Sequence, residues 1–230
     1  MKNEIARIKE MFISTQGEGP FVGYRQLFIR FCACNLACKF CDTDYTFENN
    51  NFVYPPNELT NTLCSKYDLQ TIHSISLTGG EPLLHADFLK EFIPLLPATY
   101  YLETNATLSD KMYGLINLIN IVSADIKLPS ATGINGTLEK HNEFFATVRQ
   151  NKNIYLFAKM VFDENITEEE ILAATNMAKK YDFELVLQPK TNPDNKIIPI
   201  TFAEEIFSKC LKRYNNTRLR PQVHKFLDIR

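Results

Sequence analysis

Three cysteines fall within eight residues, in the run Cys34-Asn35-Leu36-Ala37-Cys38-Lys39-Phe40-Cys41. Thiolates this close repel one another unless a cation neutralises them, so a C-x3-C-x2-C spacing points to a metal centre. A closed structural zinc site needs a fourth ligand, and none follows at the usual spacing. Cys32 could supply one, but a Cys32-x-Cys34 pair crowds a tetrahedron. Three ligands on a cubane of four irons instead leave one iron open to bind a substrate or cofactor. Cys34, Cys38 and Cys41 are therefore the expected cluster ligands. Cys32, Cys64 and Cys210 are not, and the last two are expected to be small buried apolar residues.

The elements that must position such a centre are short apolar runs separated by longer amphipathic ones. The β-like runs are 26–31, which ends at the cysteines, then 73–78, 100–104, 121–126, 154–162 and 184–188. Helix-start signals lie between them, at Asn57 after two prolines, at Ser109-Asp110, and at Thr167 before three glutamates. Alternating strand and helix predicts a parallel sheet with right-handed crossovers. Six units, with the chain exhausted after the sixth, predict an α/β fold of the incomplete (β/α)6 barrel type rather than a closed eightfold barrel.

Each strand ends in residues a core would not choose: Arg30, then Thr78-Gly79-Gly80-Glu81-Pro82, Glu103-Thr104-Asn105, Asp125-Ile126-Lys127 and Gln188-Pro189. The carboxyl ends of parallel strands form one rim, where sites are built. These ends predict one pocket.

Composition narrows the class. A chain of 230 residues can bury one full core, and a formal net charge of −2 with no basic stripe excludes an obvious nucleic-acid binder. No apolar run reaches membrane-spanning length. Free thiols, too few for a disulfide framework, and the absence of a targeting-type segment predict a reducing cytoplasm.

The cysteine run with Phe40, followed by Gly79-Gly80-Glu81-Pro82, resembles the radical S-adenosylmethionine superfamily. Taken alone, the second motif also reads as a strand-to-helix turn with proline at the first helical position. The likeness narrows with Thr15-Gln16-Gly17-Glu18-Gly19, the strand 27–31, Cys41-Asp42-Thr43-Asp44 and the terminal run from Gln222 to Leu227. Together these resemble the 7-carboxy-7-deazaguanine synthase family over nearly the whole chain. The resemblance implies a single radical SAM domain over residues 1–230, with an N-terminal strand-and-turn extension and a C-terminal tail closing the pocket.

It also implies the chemistry. Members contract 6-carboxy-5,6,7,8-tetrahydropterin to 7-carboxy-7-deazaguanine with loss of ammonia, on the way to queuosine. They use a [4Fe-4S] cluster, S-adenosylmethionine and Mg2+, are homodimers, and take electrons from a donor such as flavodoxin or ferredoxin. Carried over residue by residue, Thr43 holds Mg2+. Phe40, Asp42, Gly79, Gly80, Glu81, Ser123 and Gln188 border S-adenosylmethionine, with Asp125 or Lys127. Thr15, Gln16, Gly17, Glu18, Arg30, Thr78, His224 and the terminal carboxylate of Arg230 face the pterin. No catalytic side chain is implied beyond the cofactor-derived radical.

Two departures concern the backbone, since Ala33 and Ala106 stand where the family commonly has glycine. The Asp125-Ile126-Lys127 element also resembles that of glycyl-radical activating enzymes, which makes an activase the runner-up. A non-catalytic zinc module is the reading from a different class.

Overall fold

The computed structural model describes residues 4–39, 41, 44–48, 52–191, 197–227 and 229. In chain order the strands are β1 (Ala6–Thr15), β2 (Arg25–Phe31), β3 (Phe52–Tyr54), β4 (Ser74–Gly79), β5 (Tyr100–Thr104), β6 (Ile121–Ile126), β7 (Tyr155–Phe162), β8 (Glu184–Pro189) and β9 (Thr217–Leu219). The helices are α1 (Pro56–Lys66), α2 (Ala86–Phe92), α3 (Ser109–Tyr113), α4 (Pro129–Thr132), α5 (Thr137–Val148), α6 (Glu168–Tyr181), α7 (Ile200–Arg213) and α8 (Val223–Leu227).

All nine strands form one sheet in the order β3-β1-β2-β4-β5-β6-β7-β8-β9. From β2 to β9 every neighbouring pair is parallel, while β1 and β3 add an antiparallel margin. β3 and β9 stand at opposite ends of the order, so the barrel is open. The six predicted strands are all present. The expectation that the chain is exhausted after the sixth unit is corrected: β9 is a seventh parallel strand, too short at three residues to show a period.

Local sequence explains the elements. β6 is apolar on both sides along Ile121, Val122, Ala124 and Ile126, as a strand covered on both faces must be. In α6 the Thr167 hydroxyl accepts from Glu170 N–H and the Glu170 carboxylate accepts from Thr167 N–H, a reciprocal cap. α7 turns Ala203, Ile206 and Cys210 inward at helical spacing. Cys210 is buried as expected. Cys64 is not: α1 buries Leu59 and Leu63, which leaves the next residue facing outward, and Cys64 is exposed.

The main core fills the space between sheet and helices. A second, small apolar cluster of Tyr101, Ile121, Phe157 and Val186 lies on the inner side of the curved sheet. Phe21 joins it from below, with ring contacts to His73, Tyr101, Tyr155 and Phe157 near the amino ends of their strands. Gly19 makes this approach feasible. Its φ is +63°, and a Cβ there would strike the Phe157 ring.

Candidate active site

Side chains alternate along a strand, so residues two places beyond the inner apolar cluster also face inward, one layer nearer the carboxyl rim. Glu103 stands above Tyr101, Lys159 above Phe157, Gln188 above Val186. With Arg30, Thr78 and Asp125 they line a cavity of about 620 Å³. Cys34, Cys38, Cys41, Gly79, Gly80, Asn105 and Lys127 border the same cavity, as do Thr15, Gln16, Gly17, Glu18 and His224. The residues expected from separate motifs are brought to one place.

The cluster loop is clamped by the end of β4. Gly80 N–H donates to Phe31 O (3.1 Å) and Glu81 N–H to Ala33 O (2.9 Å). A Cβ on Gly79, whose φ is +135°, would strike the Phe31 backbone, and one on Gly80 would strike the Ala33 carbonyl. Both glycines are thus required for the approach of β4 to the cysteine loop. Glu81 corrects an expectation. It is buried, does not line the cavity, and accepts from Leu83 N–H (3.0 Å), Thr104 Oγ1 (2.9 Å) and Asn105 N–H (2.8 Å). Burial pushes its carboxyl up to about 7 against those three donors. Its visible role is to tie the β4 and β5 ends together. The following residues form a 3₁₀ turn from Pro82 into α2, so the strand-to-helix reading of this motif also describes it.

Ala33 and Ala106 keep the left-handed backbone usual for glycine, at φ +69° and +54°. Each is pinned. Ala33 N–H donates to Tyr45 O (2.8 Å), and Ala106 O accepts from the His141 ring (3.0 Å). His141 Nε2 accepts from Lys127 N–H (2.9 Å), which leaves the proton on Nδ1, and burial lowers its pKa to about 4. This buried neutral imidazole joins the β5 and β6 ends.

The donor set fits a cubane cluster. The three cysteines border the same cavity, and three thiolates at this spacing are the donor set such a cluster takes. Burial pushes Cys34 and Cys38 up, and each feels Cys41 as a further repulsive charge. A cationic cluster reverses both effects. Asn105 Nδ2 and Leu36 N–H already donate to Cys34 Sγ, at 3.8 and 3.5 Å.

The same cavity carries a wall rich in acceptors. Gln16 gives both amide protons to the protein, to Gln26 Oε1 (3.0 Å) and Glu103 Oε1 (2.8 Å), while its Oε1 accepts from Glu18 N–H (3.0 Å). A buried amide satisfies its own N–H groups first, which leaves Gln16 with acceptor capacity only. Glu103 Oε2 accepts from Thr78 Oγ1 (2.9 Å). Glu18 Oε1 accepts from Gln188 (3.2 Å) and Gln222 (2.6 Å). Arg30 Nε donates to Glu10 (2.7 Å), with its guanidinium over the Phe12 ring. Ser123 is the other correction. It shares the inner face with Asp125 but sits one layer deeper, fully buried and away from the cavity.

At the chain end, Val223 N–H donates to Gly17 O (2.9 Å), and a Cβ on Gly17 would strike His224. Phe226 and Leu227 do not dock on the barrel. The short α8 turns them outward, 54% and 60% exposed, and the tail is held instead through Gln222, Val223 and His224. Phe40, Asp42, Thr43 and Arg230 lie outside the described residues, although Cys41 and Asp44 on either side of Asp42-Thr43 both border the cavity.

Lys159 was not singled out from the sequence, and the signal was present. It is the one charge in the strand YLFAKMVF, and a lysine in an apolar buried strand is rarely there without a partner.

Residues 28–194 match the Radical SAM superfamily. Over 98% of its length the chain is 34% identical to the 7-carboxy-7-deazaguanine synthase of Archaeoglobus fulgidus, covering 99% of that protein. This chain belongs to the 7-carboxy-7-deazaguanine synthase family. The enzyme of that name from Geobacter sulfurreducens is 32% identical, with 96% of this chain and 97% of that one aligned. The crystal structure of QueE from Escherichia coli shares the fold, with a TM-score of 0.62 and 21% identity, covering 96% of this chain and 95% of that one. Membership in the family sets aside the zinc-module and activase readings, and it brings with it a [4Fe-4S] cluster and S-adenosylmethionine. Among the described residues no helix is long and apolar enough to cross a membrane.

Proposed function

We propose that this member of the radical SAM family converts 6-carboxy-5,6,7,8-tetrahydropterin to 7-carboxy-7-deazaguanine, releasing ammonia as a lyase. One observation carries the reading: a single cavity is lined both by the three cysteines and by carboxylate and amide acceptors. When bound, the cluster and S-adenosylmethionine supply a radical able to abstract hydrogen. Everything else falls to the protein.

Cys34, Cys38 and Cys41 hold the cluster. Gly79, Gly80, Asp125 and Lys127 border S-adenosylmethionine, with Asp125 suited to its ammonium. On the other wall Glu18 and Gln16 Oε1 accept from the amidine N–H edge of the pterin, an edge that presents donors. Arg30 keeps its terminal N–H groups for the substrate carboxylate. Gln188 sits where the two ligands meet, its amide on Glu18 and its Oε1 buried without a protein donor among the described residues.

Mg2+ is taken by Thr43 with substrate oxygens and waters, since Mg2+ needs few protein ligands. The tail from Gln222 closes the mouth, with the Arg230 carboxylate and His224 against the pterin. The enzyme works in the cytoplasm as a homodimer, reduced by a flavodoxin or ferredoxin. The test is anaerobic incubation of the reconstituted, reduced protein with the carboxytetrahydropterin and S-adenosylmethionine. Stoichiometric deazapurine and ammonia are expected. Cleavage of S-adenosylmethionine without either product refutes the proposal.

A further inference from the structure

We infer that Lys159 is a positioning residue: its single ammonium holds Glu18 on the pterin wall and Asp125 on the S-adenosylmethionine wall, so that both binding carboxylates depend on one cation. The inference rests on the proposed roles of Glu18 and Asp125.

The geometry is direct. Lys159 and Asp125 are partners in the β6–β7 register and project to the same side. Lys159 Nζ lies 2.5 Å from Glu18 Oε2 and 3.2 Å from Asp125 Oδ1. The side chain borders the cavity although the residue is 4% exposed. Asp125 is held by both lysines, its Oδ1 facing Lys159 Nζ and its Oδ2 accepting from Lys127 Nζ at 2.9 Å. Glu18 is fixed on three sides, by Lys159, Gln188 and Gln222.

Stability does not explain this lysine. An ion group buried in an apolar strand gains little over a well-packed apolar residue, and the layer beneath is already Tyr101 and Phe157. The titratable and charged groups facing it are Glu103 and the neutral Tyr101 of β5, Asp125 and Lys127 at the end of β6, and Glu18 of the loop after β1. Three carboxylates thus meet two lysines. Without Lys159 they would meet one, Glu18 and Asp125 would repel each other across the gap, and burial would favour a proton on Glu18. A protonated Glu18 is a poor acceptor for the pterin.

Calorimetry on the reconstituted holoenzyme separates this from the underlying reading. Glu18→Gln is expected to weaken carboxytetrahydropterin alone and Asp125→Asn S-adenosylmethionine alone. Lys159→Met is expected to weaken both by about 30-fold or more at pH 7, with full iron content and Lys159→Arg restoring much of the loss. In the wild type Glu18 stays ionised from pH 6 to 8. In Lys159→Met the pterin affinity rises with pH by up to about tenfold per unit as Glu18 loses its proton. If the Glu18 and Asp125 variants bind normally, the functional reading fails. If they behave as stated but Lys159→Met weakens only one ligand, shows no pH slope, or is not improved by arginine, the positioning role is wrong. Should Lys159→Met lose iron, Lys159→Gln takes its place in the same comparison.

Discussion

Replacing Ala33 with glycine should stabilise this protein, and replacing Ala106 should not. Both residues hold a left-handed backbone in which a Cβ costs about 1–2 kcal/mol. Neither can relax, because hydrogen bonds to Tyr45, Glu81 and His141 fix the peptides on either side. Glycine removes that cost but gives back about 0.5–1 kcal/mol through the greater freedom of the unfolded chain. For Ala33, which is exposed, little else changes. The net gain is about 0.5–1 kcal/mol, or about 2 °C in Tm for a chain this size. Ala106 is fully buried, so losing its methyl group forfeits about 0.8 kcal/mol more. That leaves Ala106→Gly close to neutral. Urea unfolding of the anaerobically purified protein, followed by circular dichroism, measures both. A stabilisation of Ala106→Gly equal to that of Ala33→Gly, or a loss of stability in Ala33→Gly, would refute the reasoning.

Alanine at Cys34, Cys38 or Cys41 should each abolish the cluster, read as iron per chain after anaerobic reconstitution, while alanine at Cys32 should keep it; the reverse pattern removes the assignment. Asp125 supplies a pH signature: burial opposes its charge, yet Lys127 and Lys159 hold its carboxyl down to about 2. A depressed carboxyl stabilises the fold above its ordinary range near pH 4, and that contribution is lost as pH falls towards 2. Asp125→Asn should therefore flatten stability between pH 4 and 2, and an unchanged acid slope counts against the pairing. Thr43→Val should keep the cluster and slow cleavage of S-adenosylmethionine but lose stimulation of product formation by Mg2+. Undiminished stimulation takes Thr43 out of the site.

Much of this arrangement was legible in the sequence because parallel strands concentrate signal at their carboxyl ends. Arg30, Thr78, Glu103, Asp125 and Gln188 each interrupt an apolar run, and all five border one cavity. The acidic opening of α6 announced its cap at Thr167. Other features carry no local mark. The antiparallel β1 reads much like a parallel strand, since pairing direction is not a property of one segment. β9 is too short for a period. Glu81 and Ser123 look like Glu103 and Asp125 in the sequence, but depth along the strand for Ser123 and one turn of backbone for Glu81 decide which reaches the cavity. Lys159 was hidden for the opposite reason, because the apolar residues around it made the strand look wholly structural.

The ring of Phe21 wedged beneath the inner cluster closes the lower end of the barrel with tightly packed aromatics. The chamber is therefore a cul-de-sac. The pterin, sulfonium cofactor, spent forms and ammonia of the proposed reaction would all pass by the rim that Gln222 and His224 border. Traffic in such a chamber is last in, first out. Whatever sits nearest the mouth governs the departure of everything beneath it, and release can then limit turnover however fast the bond-making proceeds.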